Sequence, residues 1–404
     1  MTAILEKRRG KAVAFLPLFI ACFLALAAPS RLVAAEVPEA AAEAWPMFRG
    51  CAACSGRSAA TLSLPLEERW HRTFEKTAFE ATPVIVDGTI YVGDLDGTFH
   101  ALALETGETR WTFKSEAGFP ASAAASTAPA LPIVVVGDAD GVVTALDATS
   151  GAQRWEYKTD GEISGGPTLV YGDEGGRVFV GSQDASLACL DLATGRLIWK
   201  HTIADQIRCS PTVADGNVFL AGCDGKLHVI DTATGTERTA VPIGGPTGTT
   251  PAAHESRVYF GTEGGGFFAI DVAAAKVVWQ FMPAANAQAY RSSAAIADGL
   301  AIVGSRGRAV EAFAIADGKR AWRQPTRGRV DGSPVVAHLA GGAGLIAVVG
   351  DAAGRLAALD AATGKPAWEF DAGGGFVASP AIAAGNVVMA SEDGTIWCFR
   401  SASK

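Results

Sequence analysis

Apolar residues in this chain come in short runs, broken at intervals by pairs of turn-forming residues. Val134 to Tyr157 holds the pattern whole. Val134–Val136 is a β-branched run, Asp140-Gly141 is a tight turn, and Val142–Leu146 runs back. Ser150-Gly151 turns again, and Gln153–Tyr157 carries Trp155 in a strand that alternates polar and apolar. Gly takes positive φ without steric cost and Asp tolerates it, so each pair predicts a hairpin. Three such strands cannot bury their faces alone. The pattern therefore has to recur, and it does.

Trp70, Trp111, Trp155, Trp199, Trp279, Trp322 and Trp368 stand in one register, with Thr239 in the slot between Trp199 and Trp279. The intervals are 41, 44, 44, 40, 40, 43 and 46 residues, a period that signals a propeller or solenoid. Thr-Gly, Ser-Gly or Asp-Gly pairs precede the Trp strand, as at Thr106-Gly107, Thr194-Gly195 and Asp317-Gly318. Two earlier turns recur as well, for example Asp87-Gly88 and Asp96-Gly97. Three turns separate four strands, the make-up of a propeller blade.

Three-strand units begin near Thr82, Ser126, Gly166, Ser210, Thr250, Ser293, Ser333 and Ser379. The first seven are each followed by a strand in the Trp register, but the eighth stops at Phe399 and Arg400. A spare strand, Glu68–Phe74 around Trp70, stands at the other end of the repeat. Pairing it with the eighth unit closes the ring and removes an exposed edge. The chain is thus expected to be all-β, an eight-bladed propeller of four-stranded antiparallel blades closed by an N-terminal strand, with seven blades as the alternative. The seven tryptophans are expected to pack between blades.

Outside the repeat the pattern changes. Lys7, Arg8, Arg9 and Lys11 precede the apolar run Ala12–Ala28, and Val33-Ala34-Ala35 offers small residues before Glu36. Residues 1–35 read as a secretory signal peptide, a membrane anchor being the alternative. Cys22 is a poor lipidation site, because apolar sequence continues beyond it. Residues 36–66 form a linker and lead-in expected to lie against the propeller at 67–404. Five basic residues and one acidic one leave with the signal, so the formal charge falls from −8 to −12. An acidic exported chain argues against nucleic-acid binding, and signal cleavage would leave no stable membrane insertion.

The spacing Gly-Asp-x-Asp-Gly-x-x-x-Ala-Leu-Asp-x-x-(Thr/Ser)-Gly-x-x-x-Trp resembles the pyrroloquinoline-quinone-type repeat over about residues 68–400. In the quinoprotein dehydrogenases of that fold, the resemblance implies eight blades around a quinone and calcium. In the cofactor-free assembly lipoprotein of the Bam complex, it implies a scaffold. Trp45-Pro46-Met47-Phe48-Arg49-Gly50 followed by Ser55-Gly56 is similar to the lead-in of secreted repeat proteins of this type. Fold is carried by the resemblance better than function.

The quinone reading lacks its chemistry. There is no adjacent Cys-Cys pair, and the chain is short for that class. Asp94, Asp96, Asp138 and Asp140 sit in turn slots that hairpin chemistry accounts for. No cofactor is expected. Cys51-Ala52-Ala53-Cys54 is followed by Ser55 rather than the His that haem attachment needs, and no second such pair exists to complete a zinc site. Cys51 and Cys54 are expected to be a disulfide or redox pair, or else two thiols. Cys189 and Cys398 read as small buried hydrophobes. The histidines are scattered, without a metal-hydrolase spacing.

Slots that differ between copies are where a partner could bind. Three residues before the Pro slot of the innermost strand stand Glu80, Ser164, Arg208, Gly248, Arg291, Asp331 and Val377. They are expected near the funnel mouth. Glu80, Arg208, Arg291 and Asp331 are the candidate partner contacts, with Tyr290 and Arg329 beside them. Arg291 and Asp331, on neighbouring blades, are expected to pair. The sequence points to a non-catalytic envelope scaffold with a protein partner. A quinone- and calcium-dependent dehydrogenase and a carbohydrate- or polymer-binding protein are the alternatives.

Overall fold

The computed structural model describes residues 41–172, 175–283, 287–342 and 344–402. The expected signal peptide at 1–35 and most of the linker lie outside the described residues. Eight antiparallel sheets follow one another along the chain. Two strands precede them, β1 (Arg57–Leu62) and β2 (Leu66–Thr73). Blades 1 to 7 are built from consecutive strands, and blade 8 completes Ala381–Ser401 with β2 as its outermost strand. The ring therefore closes with eight blades, through the N-terminal strand.

Burial explains why the pattern was readable. The second strand of a blade, such as Ile133–Gly137, is buried over most or all of its length and reads as a continuous apolar run. It packs against neighbouring blades on both faces. The outermost strands, such as Thr109–Lys114, face solvent on one side and alternate.

A β-bulge recurs beside every Trp slot. The small residues Ala101, Ala145, Cys189, Ala269, Ala312, Ala358 and Cys398 face Trp111, Trp155, Trp199, Trp279, Trp322, Trp368 and Trp70, each next to a register shift. Most of these indoles clamp the next blade. Trp155 Nε1 donates to Leu192 O at 2.9 Å, and its ring lies on Gly195, where a Cβ would come within 2.6 Å. Gly195 also needs its positive φ of 71°. Blade 4 departs from the rule, with Thr239 in the Trp slot, and the facing glycine of blade 5 is Ala275. Loss of the ring removes the steric need for glycine, while Ala275 keeps the left-handed φ of 51°. The seam between blades 7 and 8 is held by rings instead: Trp368, Phe370, Trp397 and Phe399 pack at centroid distances of 4.9 to 6.3 Å.

A second ring runs near the axis. The backbone N–H groups of Thr82, Ser210, Thr250, Ser293, Ser333 and Ser379 donate to the hydroxyls of Ser122, Thr250, Ser293, Ser333, Ser379 and Thr82 in turn, at 2.8 to 3.2 Å. Gly166 holds the slot in blade 3. Blade 2 starts at Ser122, which corrects the expected start near Ser126. The two-residue inner strand Ala124–Ala125 and the long loop at 126–132 after it had obscured the register.

The lead-in circles the inside of the channel, touching one blade after another. Trp45 bridges Ile85 of blade 1, and the carbonyls of Pro46, Ala52, Ala53, Ser55 and Gly56 accept from Ala125, Val213, Ala253, Ile296 and Val336 at 2.7 to 2.9 Å. Those donors lie on the innermost strands of blades 2, 4, 5, 6 and 7. Ser58 Oγ reaches Ile382 O of blade 8 at 2.9 Å, and β1 then adds in parallel to Val335–Leu339 of blade 7. Inner strands expose unpaired N–H groups to the channel, and the lead-in satisfies them.

Candidate functional site

The loops that enter each innermost strand converge at one end of the channel. Glu80, Pro120, Ser164, Arg208, Gly248, Arg291, Asp331 and Val377, one from each blade, line a cavity of about 150 Å³ together with the hydroxyl ring and Phe48 of the lead-in. The geometry thus brings together all seven of the slot residues picked out by comparing repeats. Pro120 and Phe48 were missed. Pro120 lay hidden by the misread start of blade 2, and nothing in the sequence placed the lead-in inside the channel. Phe48 makes the funnel a blind pocket.

Each charge in the funnel has its own environment. Arg208 sets Nε and Nη2 on Gln206 Oε1 at 3.0 and 2.6 Å. Arg291 Nε donates to Glu263 Oε1 at 2.9 Å. Asp331 accepts from Arg306 Nε and Nη2 at 2.8 and 3.0 Å and from Arg329 Nε at 2.9 Å. Burial alone would raise the Asp331 carboxyl, but these bonds outweigh it and hold it below the usual carboxylate range. Glu80 has no hydrogen-bond or ion-pair partner among the described residues. Partial enclosure, then the charges of Glu392 and Glu162, push its carboxyl up.

Two expectations need correction. Arg291 and Asp331 do not pair, because Glu263 and Arg306, on turns of the preceding blades, reach them first. Tyr290 is not at the mouth. Neighbouring residues on an extended chain point opposite ways, so the residue before each slot is buried, as are Phe79, Phe119, Ile163 and Phe376. Tyr290 packs on Phe267 and donates to Glu311 Oε2 at 2.6 Å. Cys51 and Cys54 stand as two thiols in the structure, one of the two readings the sequence leaves open. Cys51 Sγ lies 3.4 Å from Ser55 Oγ, while Cys54 Sγ is 3.7 Å from Ala52 O. Burial pushes the Cys54 thiol up to about 12, which makes it a poor nucleophile. Arg329 sits at the rim, half-exposed, and reaches the funnel through Asp331.

Beneath the funnel, Arg49 is buried, with Nη2 on Ala294 O at 2.8 Å. Burial lowers its pKa to about 10, the nearby thiols opposing. Gly56 beside it takes a positive φ of 66° that favours glycine, and a Cβ there would displace the guanidinium.

The fold's quinone and calcium do not fit these residues. About 150 Å³ is below the roughly 300 Å³ at which ligand pockets usually begin, and Phe48 is the only aromatic residue among the described lining residues. No group of three or more His, Cys, Asp or Glu able to hold a metal occurs among the described residues. The Asp94 and Asp138 carboxylates are already used by turn N–H groups, at 2.7 to 3.1 Å.

A sequence profile described as outer membrane protein assembly factor BamB matches residues 67–166, 139–280, 221–335 and 306–403. The chain belongs to this family. Comparison with curated proteins finds no match. Among solved structures, BamB from Moraxella catarrhalis is similar, with a TM-score of 0.68 and 18% identity over 84% of this chain and 99% of that one. A quinohemoprotein alcohol dehydrogenase from Comamonas testosteroni has a TM-score of 0.71 and 17% identity, over 90% and 81% of the two chains. The computationally designed Ika8 protein gives 0.65 and 18%, over 81% and 98%. At these identities the likeness shows the fold, which the BamB family shares with dehydrogenases and with a designed ring. No helix among the described residues is long and apolar enough to cross a membrane.

Proposed function

We propose that this chain is an exported, non-catalytic propeller scaffold of the cell envelope, binding a protein partner at its funnel mouth. The observation that carries this reading is the lead-in threaded through the channel. It fills the space in which a propeller of this kind could house a large cofactor, and leaves a shallow blind funnel. Two charges there are not paired off among the described residues. Glu80 has no partner among the described residues, and Arg208 rests on the neutral Gln206. Unpaired charges at a concave mouth suit complementary groups of a partner, which would set register and speed encounter. The family description, an assembly factor, supports a protein partner, and residues 1–35 support export. A glycan-binding reading would call for aromatic platforms at the mouth, where Phe48 stands alone.

Photo-crosslinking tests the reading. A benzophenone side chain at Arg208 or Glu80, in cells making the full chain, should yield a discrete protein adduct. The same group at Asp215, on a hairpin at the opposite end of blade 4, should not. Equal adducts from both ends, or none from the funnel, would contradict it.

A further inference from the structure

We propose that the cleft between blades 6 and 7 binds a small uncharged phenol, whose ring takes the place of a side-chain ring missing from this interface. The site is separate from the funnel and does not depend on the scaffold reading.

At each blade interface two slots face each other. One lies two residues after the Trp slot on the outer strand. The other is mid-way along the third strand of the next blade. Seven of the eight interfaces put at least one ring in this pair. Phe370 meets Trp397 at 5.2 Å, and Phe281 packs on Phe313 at 4.9 Å. Phe113, Tyr157 and Phe268 each pack in an apolar cluster shared by two blades. His201 and His228 meet on Glu237, and at the closing interface His100 lies 4.6 Å from Phe74. Between blades 6 and 7 the pair is Gln324 and Ala357, with no ring in either slot.

Both residues line a cavity of about 250 Å³, whose apolar wall is completed by Val330, Val349 and Leu359. A dry apolar cavity of about 150 Å³ is enough to take benzene, so this one has room for a substituted ring. Arg327 and Glu369 of the lining are exposed, which gives the ligand a way in.

The lining decides the ligand's charge. Arg327 Nη1 donates to Asp371 Oδ2 at 2.5 Å, and Arg355 Nη2 lies 3.1 Å from Glu369 Oε2. The Asp351 carboxylate accepts from four backbone N–H groups, those of Arg327, Gly328, Ala353 and Arg355, at 2.9 to 3.1 Å. With these charges already satisfied, an ion entering the cavity loses hydration and gains no counter-charge, whereas a neutral ring loses little. One donor is left over. Arg355 Nε is buried without a hydrogen-bond partner among the described residues. An uncharged oxygen on the ring would accept from it, and a phenol supplies that oxygen.

The test uses the full chain and p-cresol, read by titration calorimetry and thermal unfolding. p-Cresol should bind at one site with Kd below about 1 mM and raise Tm as its concentration passes Kd. Toluene, the same ring without oxygen, should bind about tenfold more weakly. p-Toluate, the same ring with a charge, should bind at least about tenfold more weakly than p-cresol. Ala357→Phe, which puts into the cavity the ring that blade 5 carries at this slot, should abolish binding at unchanged Tm. Gln324→Phe is a second filler should the first lower Tm. Arg355→Lys keeps a cation beside Glu369 but removes Nε, and should bring p-cresol down to the affinity of toluene. No saturable binding below about 1 mM, toluene or p-toluate binding as well as p-cresol, or binding that survives both fillers would overturn the proposal. Either result leaves the funnel adducts from Arg208 and Glu80 untouched, so the two readings fail separately.

Discussion

The interfaces between blades 5 and 6 and between blades 6 and 7 share one device and differ in another. Both are clamped at the outside: Trp279 Nε1 donates to Ile315 O at 2.9 Å, and Trp322 Nε1 to Ala361 O at 3.0 Å. Each indole covers the turn glycine of the next blade, Gly318 or Gly364. Two residues on, they part. Phe281 packs on Phe313 at 4.9 Å with Arg320 over its ring. Gln324 and Ala357 leave a cavity. The repeat thus keeps the fold at one slot and leaves its neighbour free to vary. The first identifies the architecture, and the second is where individuality can reside.

The comparison can be broken at the shared device. Trp279→Ala and Trp322→Ala should each cost about 3–5 kcal/mol, measured by urea unfolding, since both lose a large packed ring and its hydrogen bond. A much smaller loss at Trp322 would mean that the cavity already loosens that clamp.

Overpacking sharpens the difference. Ala188→Phe, into the slot that Tyr157 already packs, should cost about 1–3 kcal/mol. Ala357→Phe should change stability by less than about 1 kcal/mol, because the cavity receives the ring. Equal costs would show that the cleft between blades 6 and 7 closes in solution.

The arginine cluster of blade 6 provides a smaller, pH-dependent effect. Asp331→Asn should cost about 1–2 kcal/mol at neutral pH. The Asp331 carboxyl is depressed by Arg306 and Arg329, so its stabilisation is present above the unfolded-chain pKa, near 4. It is lost as pH falls through the lower folded value. The gap between wild type and variant in thermal unfolding should therefore narrow below about pH 4. A gap constant with pH would deny the ion pairs a role. The smallest expected effect is in thiol labelling at pH 8. The Cys54, Cys189, Cys209 and Cys398 thiols, pushed up to about 12 by burial, should react with iodoacetamide only after unfolding.

The architecture was legible because blades repeat. Seven tryptophans in register and the spare strand at Trp70 implied both the blade count and the closure. The slot at Glu80, Arg208, Arg291 and Asp331 was legible for the same reason, since aligned copies expose their differences. Two things were not. Tyr290 was misplaced because a slot comparison ignores the strand alternation that turns adjacent residues to opposite sides. Which side of the propeller the lead-in lies on was not legible because its contacts are backbone bonds to inner strands, as at Pro46 and Ala52, which leave no side-chain pattern. Likewise the Arg291 and Asp331 partners lie on turns of the preceding blades, whose reach the repeat period does not encode.

The account stands on the channel being closed by the chain's own lead-in. Its most direct test is to incubate the purified protein with pyrroloquinoline quinone and calcium, following quinone absorbance after gel filtration and dye reduction with alcohols. The closed channel predicts that quinone elutes separately and that no dye is reduced. Stoichiometric quinone eluting with the protein, with turnover, would contradict it.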